Sequence, residues 1–146
     1  MKTTRLFSAA ALAAALTVAG CSAEKRGETW QIVALYTDPN TPGALPADAA
    51  GKAYFIMGGQ EVKGFTGCTP LRATIDAREE RIRLETVEYG ATDEGCSGGT
   101  ELVDATLKQL LTPDAEFVLR HMSDNEMLLT AASDAINPPS IRLMSL

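Results

Sequence analysis

The chain has few of the residues that build common active sites. Its 146 residues include one histidine, His121, and one tryptophan, and aromatic residues make up only 5% of it. There is no Cys-x-x-Cys pair, and the histidine lies far from the three cysteines, so no motif has the spacing of a zinc site. The acidic residues lack calcium-loop spacing as well. We therefore expect no metal and no cofactor.

A motif for nucleophilic catalysis is missing too. His121 follows a predicted strand beside a turn, where we expect it to be exposed, and any catalytic triad would have to use it. The segment Gly95–Gly99 (Gly-Cys-Ser-Gly-Gly) does not have the spacing of a nucleophile elbow. We expect that the chain is not an enzyme. A small envelope-glycan hydrolase that uses paired carboxylates, such as Glu85 with Glu88, stays open as an alternative.

Positive charge is scarce. The chain has 13 Lys and Arg against 19 Asp and Glu, a formal net charge of −6. This balance disfavours nucleic acid and anionic headgroups as electrostatic partners, because both repel an acidic surface. No nucleic-acid partner is expected.

One long apolar run is present, at the N-terminus. Lys2 and Arg5 precede the apolar stretch Leu6–Ala19, which is shorter than a membrane span and has the form of a signal peptide. The run ends in Val-Ala-Gly-Cys, which resembles a lipobox, where the cysteine thiol receives diacylglycerol before cleavage. The prediction is a signal peptide over residues 1–20 and a lipid on Cys21. An ordinary secretory signal that happens to contain a cysteine is the alternative.

Cleavage would leave one domain on a short tether. Of 146 residues, the loss of 20 leaves 126, enough for a single core. The net charge of −6 becomes −8 without the two N-terminal cations. Residues 21–27 form the lipidated N-terminus and tether, and residues 28–146 the domain. We expect the lipid to anchor the domain to the cell membrane, with the domain facing outside the cytoplasm. In a cell with two membranes, Ser22 after the cysteine is compatible with sorting to the outer membrane.

The two remaining cysteines, Cys68 and Cys96, form an even pair in an exported chain. Such a pair predicts a disulfide, with free thiols or half a metal site as the alternative. Closing a loop of this length stabilises a fold by roughly 3.6 kcal/mol in the chain-entropy model.

Alternating apolar residues predict about eight strands, and one i, i+3, i+4 stripe predicts a helix. Thr100 can cap the helix, its stripe includes Leu102 and Leu107, and Pro113 ends it. The expected fold class is α+β: a mainly antiparallel, curved β-sheet with one helix packed on it. The predicted strands are 29–36, 54–57, 60–65, a run around 71–75, another around 82–86, 116–122, 126–130 and 140–145.

A long loop interrupts this pattern at residues 38–52. Pro39, Pro42 and Pro46 exclude regular structure there, and its alanines are expected to bury little surface. Loops of this length are often functional. The three prolines therefore mark a possible contact loop for an envelope protein or a membrane complex.

Several short motifs occur in a characteristic order: Trp30 in the first strand, Val62–Thr69 (Val-Lys-Gly-Phe-Thr-Gly-Cys-Thr), Thr92 ahead of Cys96, the helix, and the closing strands around Phe117–Leu119 and Met127–Leu129. This order resembles the META/HslJ-like domain of bacterial envelope lipoproteins. The resemblance implies a compact β-rich fold and an association with envelope stress or secretion. Thr69 departs from it, because the family usually has Asn at that position.

Three of the motif residues also have a physical interpretation. Gly64 and Gly67 suit a sharp turn or a close backbone approach that presents Cys68. Trp30 is expected in the core rather than on a sugar-stacking surface. The predicted function is a membrane-anchored, non-enzymatic binding or accessory role in the cell envelope. A carrier of a small hydrophobic ligand is, with the hydrolase, the remaining alternative.

Overall fold

A computed structural model describes residues 27–146. The predicted signal peptide, Cys21 and most of the tether lie outside the described residues. Eight strands and one helix occur in this part of the chain: β1 Glu28–Tyr36, β2 Tyr54–Gly58, β3 Glu61–Phe65, β4 Pro70–Arg78, β5 Arg81–Tyr89, α1 Gly98–Leu110, β6 Glu116–Ser123, β7 Glu126–Ala131 and β8 Ser140–Ser145. Alternation of apolar residues thus predicted every strand to within a few residues.

The eight strands form a closed antiparallel barrel in sequence order. The predicted α+β fold, a curved sheet with one helix packed on it, is therefore wrong, because the sheet closes on itself. β1 pairs with β2 on one side and with β8 on the other, where Trp30 lies opposite Ser145 and Tyr36 opposite Ser140. Closure removes the two edge strands that an open sheet would leave unpaired. Eight strands also enclose an interior just wide enough for side chains to fill.

Inward-facing residues of every strand form one apolar core. Among them, Ile32, Ile141 and Leu143 are fully buried. Helix α1 adds Val103 and Leu107 to this core, and the residue after the helix, Leu111, joins them. The helix contributes these side chains from one end of the barrel.

The two ends of the barrel differ. At one end lie the start of β1 and the turns β2–β3, β4–β5 and β6–β7, since Glu28 pairs with Met57 beside the first of these turns. At the other end lie the helix, residues 37–53, residues 66–69, residues 90–97 and residues 132–139. We call these the entry end and the helix end. The chain therefore enters the barrel opposite its longest loops.

Two helix predictions need correction. Leu102, assigned to the apolar stripe, is 61% exposed, while the stripe that is buried runs through Thr100, Val103, Asp104 and Leu107. The N-cap is Ser97 rather than Thr100, and the Ser97 side chain makes no capping hydrogen bond. Leu102 and Val103 fit an apolar stripe equally well in the sequence. Which of the two is buried depends on how the helix is oriented against the barrel. No helix among residues 27–146 is long and apolar enough to cross a membrane.

Candidate functional site

A buried polar cluster joins the helix to the barrel. Thr66 and Thr69, in the short β3–β4 connection, are completely buried, and Asp104 on the helix is 6% exposed. The Thr66 hydroxyl donates to Asp104 Oδ1, and Lys108 Nζ donates to Asp104 Oδ2 at 2.8 Å. Polar groups buried in this way need partners, and each of them has one. We call Thr66, Thr69, Thr92, Asp104 and Lys108 the junction cluster.

The β3–β4 connection is shaped to present its hydroxyls. Gly67 has a φ of +104°, which a side chain rarely tolerates, so the chain turns sharply there. This turn directs the backbone N–H groups of Cys68 and Thr69 at the Thr66 hydroxyl oxygen, at 3.3 and 2.9 Å. Gly64 is required for a different reason: a Cβ there would lie 2.7 Å from the carbonyl oxygen of Tyr54. Both glycines have the roles that the sequence suggested.

Lys108 is held from several sides. Its ammonium donates to Thr69 Oγ1 at 2.9 Å and to Thr92 Oγ1 at 3.3 Å in addition to Asp104. It also lies 5.8 Å from the centre of the Tyr89 ring, within cation–π range. All three donors of the ammonium are therefore used. Thr69, which stands where the resembled family has Asn, supplies a hydroxyl to this network.

A disulfide between Cys68 and Cys96 lies beside the junction cluster. The Cα atoms of the pair are 5.4 Å apart, so the predicted bridge is confirmed. It ties residues 90–97, which contain Thr92, to the β3–β4 connection, and the Asp93 N–H donates to the Cys68 carbonyl oxygen at 2.8 Å. Motifs that are far apart in sequence therefore meet at one place.

Charge in the cluster is balanced. Burial by itself raises the pKa of Asp104, but hydrogen bonds from Lys108, Thr66 and Thr69 outweigh it and leave the pKa below its ordinary value. Burial, with the Asp104 charge nearby, raises the pKa of Tyr89 to about 12. The Tyr89 hydroxyl donates to the Leu111 carbonyl oxygen at 2.7 Å, just after the helix. Asp104 is thus a carboxylate and Tyr89 a neutral phenol at neutral pH.

The arrangement is suited to holding the helix in place. Its carboxylate, ammonium and hydroxyls donate to and accept from one another, and no buried side-chain polar atom among residues 27–146 lacks a partner. In the same part of the chain, no group of three or more His, Cys, Asp or Glu side chains is placed to hold a metal ion.

The long loop, residues 37–53, divides into two parts. Near its end, Asp48 Oδ2 accepts from the Gly99 N–H at 2.8 Å, and the Thr100 hydroxyl donates to the Asp48 carbonyl oxygen at 3.0 Å. Ala49 is 1% exposed, so the expectation that the loop alanines bury little is wrong for this residue. It packs in the core cluster, which places Pro46 beside the helix and anchors the second part of the loop.

The first part of the loop forms a surface groove with the β7–β8 connection. Pro39 and Pro42 are exposed, and Ile136 on the facing loop is 96% exposed. The groove has a volume of about 270 Å³, and Tyr36, Pro39, Ile136 and Pro138 contribute to its walls. We call it the loop groove. It lies at the helix end, opposite the start of β1.

The remaining candidates are dispersed. Trp30 is 5% exposed and lies in the core, as predicted. His121 is exposed near the entry end. Glu88 lines a groove on the outer barrel wall, and Glu85 is not among the residues that line it. An apolar cavity inside the barrel has a volume of about 40 Å³, far below the roughly 300 Å³ of ordinary ligand pockets.

Sequence reasoning missed Asp104 and Lys108. A signal was present: an acidic residue and a lysine four positions apart, with Asp104 next to the apolar positions of a helix. Such pairs are common on exposed helix faces, so the spacing alone did not indicate burial.

Comparison with known proteins supports the fold. The chain matches no protein-family model and no curated protein. Among solved structures, it is similar to a protein from Burkholderia xenovorans determined by NMR, with a TM-score of 0.62, 14% identity and coverage of 83% of each chain. At this identity the likeness concerns the fold of the chain alone.

Proposed function

We propose that the chain is a lipid-anchored protein outside the cytoplasm with a non-enzymatic, accessory role in the cell envelope, and that it contacts an envelope protein through the loop groove. The observation that carries the proposal is the concentration of exposed apolar and proline side chains in this groove, at Tyr36, Pro39 and Ile136. Single exposed apolar residues are common, but a concave group of them is typical of interaction sites.

The position of the groove fits an anchored protein. β1 begins at Glu28, at the entry end, and the groove lies at the helix end. A lipid on Cys21 would be joined to the barrel by six residues, which span about 20 Å when extended. The entry end would then face the bilayer, and the groove would face away from it, towards other envelope proteins.

The resemblance to the META/HslJ-like domain belongs to the same proposal. The residues that carry it, including Thr66–Thr69 and Thr92, converge on the junction cluster. In this chain they join the helix to the β3–β4 connection, and none of them lines the loop groove. A role in envelope stress or secretion, as the resemblance implies, would then depend on the groove and not on the cluster.

Anchoring is tested with Cys21→Ala. The variant is expected to lose acyl-chain labelling and to leave the membrane fraction or remain uncleaved. Normal labelling of this variant would disprove the lipid anchor and would leave the binding proposal to be judged separately.

Binding is tested with a photo-reactive amino acid at Ile136 in intact cells, and with the same amino acid at Met122 as the control. Both positions are exposed, 96% and 55%, but Met122 lies near the entry end. We expect a discrete cross-linked envelope protein from position 136 only, and loss of complementation of a gene deletion by Ile136→Asp but not by Met122→Asp. Equal behaviour of the two positions would contradict the proposal.

A further inference from the structure

A second groove lies on the outer wall of the barrel, across β2, β3, β4 and β5, and has a volume of about 420 Å³. This volume lies in the range of small-molecule sites. The strand register aligns four of its side chains in one row, because Ile56 lies opposite Lys63, Lys63 opposite Arg72, and Arg72 opposite Glu88. We call it the wall groove. It shares no residue with the loop groove, and Tyr89, which lines it, also contacts Lys108 of the junction cluster.

Two cations face each other in this row. Like charges directly opposite one another in an antiparallel pair are destabilising, and a chain with a net charge of −6 has ample acidic residues to avoid it. Lys63 makes only a loose, half-exposed ion pair with Glu61, at 3.8 Å. Arg72 makes no ion pair within residues 27–146. The guanidinium is therefore free to bind an anion with two parallel hydrogen bonds.

The walls beside the cations are apolar and aromatic. Tyr54 lines the groove and is half-buried against Phe65, with ring centres 6.3 Å apart, so its ring is held in position. Gly64 and Gly90 also line the groove, and neither position accepts a side chain, since a Cβ would lie 2.7 Å from the Tyr54 carbonyl oxygen or from Pro70. An aromatic ring that is fixed beside polar groups suits the apolar face of a sugar or a similar flat ring.

We propose that the wall groove binds a small acidic saccharide, with the ligand carboxylate on Arg72 and Lys63, a sugar ring against Tyr54, and hydroxyl groups donating to Glu88. The residues that line the groove carry two cations and one carboxylate, a net charge of +1 that favours one ligand carboxylate, and Glu61 lies outside this lining. A phosphate with two negative charges fits less well, because Glu88 repels it about twice as strongly as it repels a carboxylate with one. This binding does not depend on the contact proposed for the loop groove.

The test is an amide NMR titration of the full-length protein, purified in detergent from its host, with glucuronate, glucose and glucose 6-phosphate as separate probes. We expect saturable shifts at Lys63 and Arg72 with glucuronate, weaker binding of glucose, and weaker binding of the phosphate. Arg72→Gln should weaken glucuronate binding about ten-fold, the usual effect of losing a charge-assisted pair.

Arg78→Gln is the matched control, because Arg78 is an exposed arginine on the same strand but outside the wall groove. It should leave glucuronate binding unchanged. Lys63→Gln provides a second test if Arg72→Gln does not fold. The proposal is overturned if glucuronate causes no saturable shift at these residues, if glucose binds equally well, if the phosphate binds more tightly, or if both cation variants bind like the unsubstituted protein.

Discussion

Lys108 Nζ lies 2.8 Å from Asp104 Oδ2, one helical turn away, and the pair faces the barrel rather than the solvent. The side chain of Asp104 is 8% exposed and that of Lys108 is 32% exposed. The attraction between two such charges is largely offset by the free energy needed to remove them from water. Breaking the pair is still costly, because it leaves one buried charge without its partner. Through Thr66 and Thr69 it connects the helix to the β3–β4 connection.

Asp104→Ala should therefore lower the free energy of unfolding by about 1.5–3 kcal/mol, the usual range for hydrogen bonds to a charged group. Urea denaturation measures the change. Asp76→Ala is the control, because the Asp76–Arg78 pair is exposed on the barrel wall and should contribute less than about 1 kcal/mol. Equal losses in the two variants would show that the junction cluster is not structurally important.

The Asp104 carboxyl also predicts a dependence on pH. Its pKa in the folded protein is below the ordinary value of 3.8, so the folded state binds this proton less readily than the unfolded state. The stability that the ionised Asp104 carboxylate contributes is complete above the ordinary pKa of 3.8. It is lost as the pH falls through the lower pKa of the folded protein. The difference in unfolding free energy between the unsubstituted protein and Asp104→Asn should be constant from neutral pH to about pH 4 and shrink below it. A difference that grows towards acid pH would contradict this.

Leu107 and Leu102 offer a matched comparison on one helix. Leu107 is fully buried in the core, whereas Leu102 is 61% exposed. Leu107→Ala should lower the free energy of unfolding by about 2–5 kcal/mol, because it removes buried apolar surface and leaves a cavity. Leu102→Ala should change the free energy of unfolding by no more than about 0.5 kcal/mol. Thermal or urea unfolding distinguishes them. A large loss at Leu102 would show that the exposed face of the helix is covered in solution.

The disulfide predicts both a chemical and a thermodynamic result. The native protein should have no thiol at Cys68 or Cys96 that reacts with an alkylating reagent before reduction. Reduction should lower the unfolding free energy by about 2–4 kcal/mol, mainly because the unfolded chain gains freedom. Alkylation of both cysteines in the native, non-reduced protein would disprove the bridge.

Local patterns were sufficient to predict the strands, the helix and the disulfide. Alternation of apolar residues depends on neighbours two positions apart, so each strand, from Glu28–Tyr36 to Ser140–Ser145, left a signal in its own segment. The cysteine pair was predictable because an even number of thiols favours a disulfide in a chain that is predicted to be exported. The signal peptide and the lipid on Cys21 are still predictions, since the described residues begin at Gly27.

Closure of the barrel and assembly of the sites were decided by the tertiary structure. Pairing of Trp30 with Ser145 joins the two ends of the domain, and no local pattern encodes a contact over that separation. Closure in turn selects which helix face is buried, so Asp104 becomes a buried partner of Lys108 and Leu102 is left in solvent. The row of Lys63 and Arg72 likewise exists only in the register of β3 on β4. The sequence determined the elements because each depends on its own residues, and the fold determined the sites because each depends on several elements.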